Sequence, residues 1–100
     1  MNFVLTYDLK LTGQERTSIE TRIDNVLKPY KYAKNLSTFY VIHIDSYTQW
    51  DQILVSMTNI AKDLVGKFHF IMSPPVNGGR YNGYLPYKSW ETINGITSLD

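Results

Sequence analysis

Positions 2 to 9, Asn-Phe-Val-Leu-Thr-Tyr-Asp-Leu, are dense in β-branched and aromatic side chains, the composition that strands favour. A period of two sends Phe3, Leu5 and Tyr7 to one face and Val4, Thr6 and Asp8 to the other. Both faces carry apolar residues, which predicts an interior strand covered at least partly on each side. The spacing then changes. Ile19, Ile23, Val26 and Leu27 recur at helical intervals with Glu20, Arg22, Asp24 and Asn25 between them, so the pattern predicts a helix over about 14–28. Thr12 followed by Glu15 fits a capping box at its start, and Pro29 ends it by disfavouring helical geometry in the residue before.

Tyr30-Lys31-Tyr32-Ala33 reads as a short strand, Lys34-Asn35 as a turn, and Ser37 to Ile44 as the strongest strand signal in the chain. Thr48, with Asp51 three residues later, is the expected cap of a second helix. Trp50, Ile53, Leu54, Met57, Ile60, Ala61 and Leu64 form its apolar stripe, and Gly66 ends it. Lys67 to Met72 supplies a last core strand. The element order β-α-β-β-α-β predicts an α+β domain, a four-stranded antiparallel sheet with both helices on one face. The core is expected over 1–73. Residues 74–100 form an aromatic, irregular C-terminal extension in which Pro86 suits the first turn of a short helix continued by Ser89 to Ile93. That tail is too apolar for a free linker, so it is expected to pack on its own domain or on a partner.

Composition supports a folded chain: 43% of residues are hydrophobic and only 19% charged, the reverse of the balance that keeps a chain disordered. One hundred residues allow one domain. The absence of cysteine excludes disulfides, thiolate metal sites and thiol nucleophiles. The first residues read as a strand rather than a signal peptide, and no run approaches the roughly 18 apolar residues of a spanning helix. No membrane association and a cytoplasmic location are therefore the expectation. A net charge of +1 gives no global field toward a phosphate backbone, so nucleic-acid binding would need a local patch or two paired copies.

Tyr7-Asp8 closing the first strand, Ser37-Thr38-Phe39 opening the long hairpin strand, and Leu85-Pro86-Tyr87-Lys88-Ser89-Trp90 in the tail occur in this order around this helix pattern. Together they resemble the small SinR-like proteins, relatives of the CRISPR-associated Cas-two proteins that partner the integrase during spacer acquisition. The resemblance implies a ferredoxin-like fold, a homodimer, and a divalent-metal nuclease activity in some members. Asp8 matches the family's metal-binding aspartate, so the resemblance implies Mg²⁺ held by two symmetry-related Asp8 carboxylates, with Asp8 also the catalytic candidate. Mg²⁺ takes hard oxygen ligands, and such an ion could activate water against a phosphodiester. The chain lacks a basic run after Asp8 and the Gln-x-Ser-Val-Phe hairpin pattern of the CRISPR members, so the SinR-like branch fits better. The expected function is a homodimeric nucleic-acid-associated or protein-interaction module of a defence or mobile-element system. The alternative is a divalent-metal endonuclease acting on RNA or DNA.

Each candidate also has a plainer role. Asp8 could order the loop after its strand. Lys28, Lys31 and Lys34 alternate with Tyr30 and Tyr32, and Arg80 stands in the tail; cations with interleaved aromatics track phosphates and stack bases, whereas lysines on a short edge strand simply discourage aggregation. Either His43 or His69 could be a general base, the usual task of histidine in catalysis, but nothing in the sequence places either beside a carboxylate or nucleophile. Asn77-Gly78-Gly79-Arg80 lacks the lysine and helix of a phosphate loop and reads as a turn. Tyr81, Tyr84, Tyr87 and Trp90 suit a dimer interface or a cover over their own sheet.

Overall fold

A computed structural model describes residues 1–78 and 81–99. The elements are β1 (Asn2–Leu9), α1 (Gly13–Leu27), β2 (Lys31–Leu36), β3 (Phe39–His43), α2 (Tyr47–Asp63), β4 (Phe68–Met72) and α3 (Tyr87–Thr97). The four strands form one antiparallel sheet in the order β2-β3-β1-β4. This is a ferredoxin-like split β-α-β-β-α-β arrangement with an added C-terminal helix. The sequence's period of two accounts for its floor: Phe3, Leu5, Tyr7 and Leu9 of β1 join Tyr40, Ile42 and Phe68 on one face. Ile23 and Leu27 of α1 and Ile53, Met57 and Ile60 of α2 pack onto that floor, all buried. Fully burying each such side chain contributes about 1.5–3 kcal/mol.

The opposite face is covered over half its width. Ala33 of β2 and Val41 of β3 are buried with Ile93 and Ile96 of α3, and Val4, Phe39, Tyr81, Leu85 and Trp90 pack around them. Thus α3 sits over β2 and β3 and reaches Val4 of β1, leaving β4 and the Thr6 to Asp8 end of β1 bare. It runs to Thr97, well beyond the Ile93 expected from sequence, because Ile93 and Ile96 supply a buried edge that the irregular text before them hides.

Three local expectations are corrected. The β2–β3 turn is Ser37-Thr38, not Lys34-Asn35. The latter pair lies within β2, where a register shift between Ala33 and Leu36 absorbs the extra residues as a bulge. Thr12 is the N-cap of α1 but makes no side-chain cap bond; instead Arg16 reaches back, its Nη1 donating to the Leu9 and Leu11 carbonyls at 2.6 and 3.4 Å. The second helix starts at Tyr47 with Ser46 as N-cap, so Thr48 already lies inside it. Gly66, at φ 79°, takes the left-handed conformation that ends the α2 segment.

Candidate functional site

On the bare half, strand alternation places Thr6 and Asp8 of β1 and His69 and Ile71 of β4 on the same outward face. The register sets Asp8 directly opposite His69, and Thr6 opposite Ile71. Asp8 and His69 are exposed, and Ile71 is 67% exposed. These four, with Tyr7 and Phe70, line a shallow depression of about 350 Å³. A single chain therefore offers one carboxylate and one imidazole there. Mg²⁺ takes oxygen ligands in near-octahedral geometry, and an imidazole suits Zn²⁺ or another transition metal better. Among the described residues no group of three or more His, Asp or Glu could hold a metal ion. The described residues of one chain do not fit a Mg²⁺ site.

The lysine–tyrosine run is divided by the sheet. Lys28 follows α1 as its C-cap, and Tyr30 and Tyr32 pack, half-buried, against the main core. Tyr32 meets the Tyr40 ring edge-on at 5.5 Å, and the Lys34 Nζ lies 5.2 Å from the same ring's centroid. Lys31 instead pairs with His43 on the other face, in a cleft of about 400 Å³ bounded also by Pro29, Asp45, Gln49 and Leu99. The three lysines thus present no single cationic stripe. Arg80 lies outside the described residues.

His43 is the histidine that acquires a defined setting. Its Nδ1 lies 3.1 Å from the Asn2 Oδ1, and its Nε2 lies 3.6 Å from the Asp45 Oδ1. The Asn2 amide donates from Nδ2 to the carbonyls of Gly78 and Thr97, both at 3.4 Å. That orientation turns the Asn2 Oδ1 toward the His43 Nδ1, while the His43 Nε2 faces the Asp45 carboxylate. Asn2 is fully buried and joins β1, β3, the segment after β4 and the end of α3. Sequence reasoning passed over Asn2; its signal is a polar residue inside a strand that is otherwise apolar on both faces.

Beneath α1, the Tyr40 hydroxyl donates to the Asp24 Oδ1 at 3.3 Å, while among the described residues the buried Tyr7 hydroxyl finds no partner of good geometry. Burial pushes the Tyr7 phenol above its ordinary range, and the Glu20 charge adds to the shift. Tyr40 is pushed up more strongly, first by burial and then by Tyr7 and Asp24 beside it. These groups stay neutral at physiological pH and act as core. Of the tail aromatics, Tyr81 and Trp90 pack on the second cluster, whereas Tyr84 and Tyr87 are exposed.

Among the described residues no helix is long and apolar enough to cross a membrane. No protein-family model matches the chain, and no curated protein matches it.

Proposed function

We propose that this chain is a non-catalytic homodimeric interaction module, of the SinR-like and Cas-two-like kind, serving a defence or mobile-element system through contacts with nucleic acid or a protein partner. The observation that carries the reading is the half-covered sheet: α3 covers β2 and β3, while the β1 and β4 half presents the exposed Ile71 among Thr6, Asp8 and His69. A mixed polar and apolar patch of this sort is stable in water yet retains area to bury against a partner. The ferredoxin-like fold agrees with the resemblance, although a fold alone assigns no activity. The dispersal of Lys28, Lys31 and Lys34 weighs toward a protein contact over a phosphate backbone.

The endonuclease reading draws support from the exposure of Asp8 on that same bare half. It requires a second copy to complete the oxygen ligands. The test is cleavage of labelled RNA and DNA with and without Mg²⁺, in wild type and Asp8→Ala. The module reading expects no Mg²⁺-dependent cleavage from either protein. Cleavage by wild type that Asp8→Ala abolishes would replace it with the endonuclease.

A further inference from the structure

The sheet has two terminal strands, and their edges differ in every respect that governs pairing. On β2 the edge is bulged after Ala33 and carries Lys31 and Lys34, features that discourage another strand. On β4 the edge Phe68-His69-Phe70-Ile71-Met72 is regular and free of lysine. Lys10 N–H donates to the Lys67 carbonyl at 2.7 Å, and Ser73 N–H donates to the Val4 carbonyl at 2.8 Å. Hydrogen-bonding pairs alternate along an antiparallel ladder, so residues 67, 69, 71 and 73 turn their peptide groups toward β1. Those of Phe70 and Met72 turn outward, where no strand of the sheet follows, whereas the Phe68 N–H is already bonded to the Leu64 carbonyl at 3.3 Å.

The surfaces above and below this edge are suited to the same contact. Trp50 Nε1 donates to the Ser73 carbonyl at 3.1 Å, which fixes one flank of α2 toward β4. Arg22 of α1 bonds Asp63 at 2.8 Å, which fixes the opposite flank toward α1. At helical spacing the β4 flank presents Leu54, Thr58 and Ala61, all half-buried and uncharged. Half-buried Phe70 and Met72 lie beneath them, and Ile71 stands exposed on the other side of the sheet.

We propose that β4 pairs antiparallel with β4 of a second copy, about a two-fold axis at Phe70, to make one continuous eight-stranded sheet. The proposal rests on the dimeric reading above and gives it a geometry. Phe70 exchanges both backbone bonds with its counterpart, and the Phe68 carbonyl accepts from the Met72 N–H of the second copy. On the bare face His69 falls beside Ile71, so no acidic or basic residue meets its own kind. The α2 flanks approach across the axis and enlarge the area beyond that of two strands, as a stable dimer requires. The two β1 strands are then separated by three strand spacings, about 14 Å. Two Asp8 carboxylates at that separation do not share an ion, so this geometry selects the module over the shared-ion endonuclease.

Leu54 and Ile71 lie on opposite faces of the sheet, and only an edge contact touches both. The experiment is sedimentation equilibrium of wild type, Leu54→Lys and Ile71→Lys over a concentration series, with circular dichroism to verify that each variant is folded. The expected result is a dimer for wild type and self-association weakened roughly a hundredfold in both variants. Folded variants that remain as dimeric as wild type, or a loss confined to Ile71→Lys, would overturn the edge geometry while leaving the dimer in place. A wild type that is monomeric throughout would overturn both.

Discussion

Over β2 and β3, the sheet's second face presents Ala33, Phe39 and Val41, and α3 covers them with Ile93 and Ile96. Over β1 and β4, the same face presents Thr6, Asp8, His69 and Ile71, and no element of the described chain covers them. Both halves come from alternating strands of similar length, so backbone geometry does not separate them. Side-chain chemistry does. The apolar cluster of Ala33, Phe39 and Val41 cannot remain in water without cost and captures the nearest amphipathic segment of its own chain. A half with a carboxylate, an imidazole and a hydroxyl around one isoleucine tolerates water, and so remains accessible to a second molecule. The edges follow the same division, since the lysine-bearing, bulged strand borders the covered half and the regular apolar strand borders the bare one.

Breaking the covered half should have the largest effect on the folded chain. Ile93→Ala removes a buried side chain that α3 inserts against Ala33 and Val41, and is expected to lower stability by about 2–4 kcal/mol in urea denaturation. Asn2→Ala comes next. It removes the side-chain oxygen beside the His43 Nδ1 and the amide that donates to the Gly78 and Thr97 carbonyls. A loss of about 1–3 kcal/mol is expected, with faster amide exchange toward the end of α3 as the readout that α3 has loosened.

The fully buried face supplies a contrast through pH. Tyr7 and Tyr40 are both shifted up from an ordinary value of 10.0. The unfolded chain therefore releases these protons first, so their contribution to stability is complete below about pH 10 and declines as pH rises beyond it. Denaturation midpoints should fall through that alkaline range, and Tyr7→Phe should lessen the fall. The smallest effect belongs to the bare half: Ile71→Ala should alter the stability of the monomer by less than about 0.5 kcal/mol, the usual range for an exposed site. A larger loss in dilute protein would mean that Ile71 is already engaged within the chain.

Much of this organisation is legible in the sequence. The faces of β1, the stripes of α1 and α2 and the boundary at Gly66 follow from periodicity alone, because burial on one side enforces it. The hairpin turn does not follow, since Lys34-Asn35 has turn-like composition and a bulge hides the true strand length. The extent of α3 escapes for a related reason: Gly83, Pro86 and Gly95 interrupt the text around an apolar spacing that matters only once Val41 and Ala33 stand opposite. At the candidate site, the outward direction of Asp8 is readable from alternation. Its pairing with His69, and that of Asn2 with His43, depends on register between strands distant in sequence, which no single segment encodes.

Hydrogen exchange at the amides of Phe70 and Met72 is the sharpest check on the paired β4 edge, because these N–H groups face away from β1 and have no acceptor among the described residues, whereas the Phe68 N–H already donates to the Leu64 carbonyl. Slow exchange is expected at these two positions in concentrated protein and fast exchange on dilution, while His69 and Ile71 stay protected at both. A dimer in which both amides exchange freely at every concentration would contradict the edge pairing.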